Sequence, residues 1–290
     1  MRAIKNNDNA LVTTLARNKY SRDGRNEDGD APLHFAIRLG KEDAVSILLD
    51  EGADMDISDD AGYTPVTLAI RYIYPSILEC LLDQGADFNQ REGDPEDEYS
   101  EDGPSPLHVA ATVRNKKCLS ILLQQKPNID IKYEGCTPLA EACRQGNTDC
   151  AKLLLDAGAD PNFEYWVPEC SPLVVATKEN DSAMIKVLID HGAWVNVEDS
   201  RHYTPLIWAA YEGCDDACIA LLEAGANTEH RYGADDSTAL ICAAEAGHLD
   251  VVQVLVETGK ANIYAPSNGK MTAFMKAAAG GHDDVVNLVG

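Results

Sequence analysis

Apolar residues recur along this chain in short bursts at helical spacing, separated by polar and small residues. In Tyr203–Asn227, YTPLIWAAYEGCDDACIALLEAGAN, Leu206, Ala209 and Ala210 share one face, and Ala217, Leu221 and Leu222 share another. Thr204 is a helix N-cap, because its hydroxyl can accept from an otherwise unpaired backbone N–H. Pro205 takes the first helical position, where a missing N–H costs nothing. Gly213 stops the first helix in a left-handed conformation and Gly225 stops the second. The stretch predicts two short helices back to back.

The unit repeats. Its proline position recurs at Pro32, Pro65, Pro106, Pro138, Pro172 and Pro205, then as Ala239 and Ala273, with spacings of 33, 41, 32, 34, 33, 34 and 34. The starts read APLHFA (31–36), TPVTLA (64–69), SPLHVA (105–110), TPLAEA (137–142), SPLVVA (171–176), TPLIWA (204–209), TALICA (238–243) and TAFMKA (272–277). Second halves read Leu-Leu-x-x-Gly-Ala-Asp/Asn at Leu48–Asp54, Leu81–Asp87, Leu154–Asp160 and Leu221–Asn227. A period near 33 built on Thr-Pro-Leu-His-x-Ala resembles the ankyrin repeat, and the likeness covers nearly the whole chain. It implies an all-α ankyrin-repeat solenoid, with a β-hairpin or turn plus helix-turn-helix per repeat. The stack is expected to be right-handed and curved, with the first helices on its inner face.

The expected divisions are 1–28, N-terminal capping helices and a loop, and 29–290, the repeats. These fall at 29–58, 59–89, 102–131, 132–163, 166–198, 199–232, 233–264 and a truncated 267–290, with an acidic insertion at 90–101. The insertion reads as a mobile loop. Its carboxylates Glu96, Asp97, Glu98, Glu101 and Asp102 either fold onto Arg71 or Arg144 and compete with a partner, or simply stay solvated. The eighth repeat stops inside its second helix, so either the parent chain continues past Gly290 or that helix frays. The second repeat carries Ile73-Tyr74 where glycine and histidine are expected. A β-branched residue resists a left-handed turn, so a different local turn is expected there, with Tyr72-Ile73-Tyr74 as an apolar patch.

Charge narrows the partners. The 290 residues carry 24 Lys+Arg against 48 Asp+Glu, a net charge of −24, which repels phosphate backbones and anionic membrane surfaces. The nine cysteines suit small core residues in a reducing compartment, and no secretory signal opens the chain. A cytoplasmic or nuclear monomer is expected. Cys136 and Cys170, at matching hairpin tips, are expected to be free thiols, because packed helices lie about 8–10 Å apart and a disulfide needs Cα atoms within about 7 Å.

Candidate chemistry is sparse. Cys214, Cys218 and His248 lack the second ligand pair usual in a zinc site, and no metal or cofactor is expected. No strand-turn-helix elbow or phosphate loop accompanies the Cys, Ser and His residues, so no catalysis is expected. The resemblance gives His34 and His108 the role of tying neighbouring hairpins.

The ankyrin resemblance places partner contacts at hairpin tips and at the ends of first helices. The first helix-end position reads Arg38, Arg71, Thr112, Arg144, Lys178 and Tyr211 over six repeats, four of them cationic on an acidic body. One explanation is that cations answer the helix dipole. The other is a groove for an acidic or carboxylate-bearing segment, with Arg38, Arg71, Arg144 and Lys178 making charge-assisted bonds and Tyr63, Tyr72, Tyr203 and Tyr211 adding apolar contact. The expected function is protein–protein recognition. The competing classes are a ubiquitin-ligase adaptor, the recognition part of a larger signalling protein or enzyme, and a plain scaffold.

Overall fold

The computed structural model describes residues 1–93, 103–163, 171–199 and 201–290. The chain forms two compact units, Met1–Pro138 with Asp156–Gly158, and Leu139–Leu155 with Ala159–Gly290.

Unit one holds α1 (Arg2–Lys5), α2 (Asn9–Ala16), α3 (Lys19–Arg22), α4 (Pro32–Arg38), α5 (Glu42–Asp50), α6 (Pro65–Arg71), α7 (Pro75–Asp83), α8 (Pro106–Thr112) and α9 (Lys116–Gln124). Unit two holds α10 (Pro138–Arg144), α11 (Thr148–Asp156), α12 (Pro172–Lys178), α13 (Ser182–Asp190), α14 (Pro205–Glu212), α15 (Asp215–Glu223), α16 (Ala239–Ala246), α17 (Leu249–Glu257), α18 (Ala273–Gly280) and α19 (Asp283–Val289). From α4 on, every first helix starts on the proline or alanine that the period marks. Thr64, Ser105, Thr204, Thr238 and Thr272 cap five of them through their hydroxyls.

Within unit one α4, α6 and α8 pack in succession, as do α5, α7 and α9; α1 leans on α4, and α2 on α5. Within unit two α12, α14, α16 and α18 do the same, backed by α13, α15, α17 and α19. The apolar faces meet in thin layers: Leu33, Ile37, Leu68, Leu78, Leu81 and Leu122 in unit one, and Leu154, Leu173, Leu188 and Leu221 in unit two, all buried. Among the described residues the hairpins appear as two isolated antiparallel bridges, Tyr133 with Cys136 and Tyr232 with Ser237.

Two expectations need correcting. Ile73 does take the left-handed conformation, at φ +63°, so the second repeat keeps the same turn as Gly40, Arg114 and Asn180. Its N–H donates to Ile70 O and that of Tyr74 to Ala69 O, as Gly40 and Lys41 donate to Ile37 and Ala36. These paired bonds hold the residue where its side chain disfavours it. Cys136 is disulfide-bonded rather than free, and it is buried. The spacing between packed helices does not set the reach of side chains on the connecting turns. Cys170 lies outside the described residues, as do Trp166 and the insertion carboxylates Glu96, Asp97, Glu98, Glu101 and Asp102.

Candidate protein-binding surface

The hairpins are closed by one recurrent device. Asp59 Oδ1 accepts from the N–H of Ala61 at 3.0 Å and of Tyr63 at 2.9 Å, and Asp199 Oδ1 accepts from Arg201 at 2.8 Å and Tyr203 at 2.9 Å. Each carboxylate keeps a second oxygen, and what that oxygen meets decides the local electrostatics.

In unit one it meets arginine. Arg38 pairs with Asp59 Oδ2 and, through Nε, with Asp30 at 3.0 Å; both carboxylates are buried. Arg38 Nη1 also donates to the Tyr72 hydroxyl at 3.1 Å. Arg71 makes a two-pronged contact with Glu92, 33 residues on from Asp59, at 2.7 and 2.6 Å, and lies 4.8 Å from the Tyr63 ring centre. Glu92 is the first acid of the 90–101 stretch and was not among the carboxylates expected to reach Arg71.

In unit two the second oxygen of Asp199 accepts from the Trp208 indole Nε1–H at 3.1 Å instead. Lys178 then rests on the face of that indole, its Nζ 3.8 Å from the ring centre. Among the described residues no carboxylate stands at ion-pair distance from Lys178. Tyr203 packs on Trp208 at 5.1 Å and on Tyr232 at 4.6 Å, and Tyr211 meets Trp208 edge-on at 6.3 Å. Arg201 lies 5.6 Å from the Trp208 ring centre. Trp208 is buried, whereas Tyr211 is 54% exposed. Arg144 is ion-paired to Glu141 on its own helix.

The expected four available cations are therefore not what the structure holds. Arg38, Arg71 and Arg144 each carry a carboxylate of the chain itself, whereas Lys178 has none at ion-pair distance among the described residues and rests on the Trp208 ring. Trp208, the centre of the unit-two cluster, was not among the expected site residues. Its signal was present in the sequence: the one tryptophan inside a first-helix motif, one residue before the paired alanines.

The other candidates are structural. The thiols of Cys118, Cys143 and Cys218 are pushed up by burial, Cys118 to about 11, so they carry almost no thiolate near neutral pH. His248 donates through Nε2 to Tyr211 O at 3.1 Å, and a Cβ at Gly213 would press on its ring. His34 accepts from Ala31 N–H and reaches Ile57 O at 2.8 Å; His108 reaches Cys136 O at 3.2 Å. Burial lowers the pKa of both, that of His108 to about 4, so both are neutral struts between hairpins. No helix among the described residues is long and apolar enough to cross a membrane.

Comparison with known proteins places the repeats in a family. The family described as "Ankyrin repeats (3 copies)" matches residues 1–92, 90–165, 168–232 and 227–289. "Ankyrin repeat and SOCS box protein 11" of Homo sapiens is 38% identical over 64 residues, 22% of this chain and 20% of that protein. "E3 ubiquitin-protein ligase KEG" of Arabidopsis thaliana is 28% identical over 144 residues, 48% of this chain and 6% of that protein. The matched segments thus span a fifth or less of those two relatives. The crystal structure of the ankyrin repeat domain of Bcl-3, a member of the IkappaB protein family, is matched with a TM-score of 0.67 at 27% identity, over 79% of this chain and all of that one. With the family pattern matched almost from end to end, the chain belongs to the ankyrin-repeat family.

Proposed function

We propose that this chain is a non-catalytic protein-recognition module whose unit-two contact is centred on Tyr211 and Lys178, backed by Tyr203 and Trp208. The carrying observation is the Lys178 ammonium held on the Trp208 face beside an exposed Tyr211. Aromatic residues with a half-desolvated cation are the usual energetic centre of an interface. An acidic or carboxylate-bearing partner segment meets its cation at Lys178, because Arg38, Arg71 and Arg144 are already occupied. Affinity purification with the intact chain beside Lys178→Ala/Tyr211→Ala tests the reading. Loss of the same protein from the variant supports it; undiminished recovery refutes it.

The similarity to relatives named for a SOCS box and for E3 ubiquitin-protein ligase favours a second reading, a substrate-recognising adaptor of a ubiquitin ligase. Its test is whether the recovered partner gains ubiquitin when the full protein is present, against no change when it is absent.

A further inference from the structure

Each unit exposes one apolar face on an outer helix pair. In unit one α1 packs on α4 and α2 on α5, which buries Ala3, Ile4, Val12 and Ala16. Leu11 and Leu15, one turn apart on α2, stay outside that packing and are each 44% exposed. In unit two Phe274 and Met275 on α18 and Leu288 on α19 are 41%, 47% and 36% exposed. The residues that match Phe274, Met275 and Ala278 in α16 are Leu240, Ile241 and Ala244, and all three are buried. Lone exposed apolar residues are ordinary. These are grouped, on helix pairs with no further repeat against them, where a solenoid normally turns a polar face to water.

The two faces differ in charge. Residues 1–22 hold five cations, Arg2, Lys5, Arg17, Lys19 and Arg22, against the single acid Asp8, on a chain of net −24. Arg2, Lys5 and Lys19 are exposed and make no ion pair with a described residue. Residues 277–290 hold Asp283 and Asp284 and no Lys or Arg. Both acids are exposed, in the first turn of α19.

We infer that the α1–α2 face of one copy of this chain docks on the α18–α19 face of a second copy. In this contact α1 lies on α18 and α2 on α19, as α18 and α19 themselves lie on α16 and α17. Leu11 and Leu15 then cover Leu288, and the stem of Arg2 lies over Phe274 and Met275. Lys5, at the end of α1, stands beside Asp283 and Asp284, which open α19. Opposite charge selects this pairing, and like charge disfavours either face meeting its own kind. The contact is heterologous, so every pair keeps one bare face of each type and can add further copies. The self-association departs from the monomer expected from the sequence, and it does not involve Lys178 or Tyr211.

Sedimentation velocity of the full chain at rising concentration tests it. The mass should climb past that of a dimer, and added salt should weaken the association by screening the charges. Asp283→Asn/Asp284→Asn should weaken it about fivefold, as loss of exposed ion pairs does. Leu11→Ser/Leu15→Ser and Phe274→Ser/Met275→Ser should each be monomeric alone. Mixed together they should form a 1:1 dimer and stop there, because each keeps the face that the other lacks. That pairing also shows that both variants are folded. A chain that stays monomeric at every concentration overturns the inference and leaves the two faces to another protein. Folded variants that fail to pair when mixed overturn it too, as does a dimer that survives either serine pair.

Discussion

Asp59 and Asp199 close their hairpins with the same two backbone hydrogen bonds, yet one locks an arginine and the other releases a lysine. The free oxygen of Asp59 takes Arg38; that of Asp199 takes the Trp208 indole N–H, and Lys178 is left on the ring. One tryptophan thus replaces a structural ion pair with a half-buried cation on an aromatic floor. The lesson is that a charged position repeated in register does not keep one role. The role follows from which donor reaches the hairpin carboxylate first.

The two units also differ in what acid does to them. His34 and His108 stand only in unit one; the matching positions in unit two are Ala140, Val174, Ile207, Ile241 and Met275. Burial lowers the pKa of both histidines, so the unfolded chain binds protons that the folded chain does not. The stability they confer is present above about pH 6.5 and lost as pH falls toward the folded pKa, about 4 for His108. For His108 alone the loss is about 3 kcal/mol. Hydrogen exchange across that window should show α8 opening well before α14. Equal protection in both at pH 4.5 would erase this side of the comparison.

Removing an arginine's partner should cost less. Glu92→Ala leaves the partly exposed Arg71 without its two-pronged acceptor, an expected loss of about 1 kcal/mol after allowing for water's access to the guanidinium. Urea unfolding of α6 and its neighbours measures it, and no change would make the pair ornamental. Lys178→Ala should cost the fold least, below about 1 kcal/mol, because a half-solvated cation on a ring contributes little to folding. A loss as large as that from Glu92→Ala would mean Lys178 is structural too.

Most of the fold was legible because it depends on local signals. Each proline or alanine start, each hydroxyl cap and each glycine stop acts within a turn of its own helix. The site was less so. The acids that occupy Arg38 and Arg71 lie 21 residues further on, at the opening of the next hairpin, so the pairing crosses a repeat boundary. A search at that offset would have found both. The Ile73 turn was misjudged because intrinsic preference opposed it, while the hydrogen bonds of its neighbours, set by packing, decided the matter. Trp208 was missed because its ring serves the fold on one side and the cation on the other.

The most direct test of the whole account is the affinity of the recovered partner for four proteins side by side: the intact chain, Arg71→Ala, Arg144→Ala and Lys178→Ala/Tyr211→Ala. The account predicts near-wild-type binding for both arginine variants in their folded form, and at least a tenfold loss for the last. Loss with a folded Arg71→Ala or Arg144→Ala protein, alongside intact binding by Lys178→Ala/Tyr211→Ala, would contradict it.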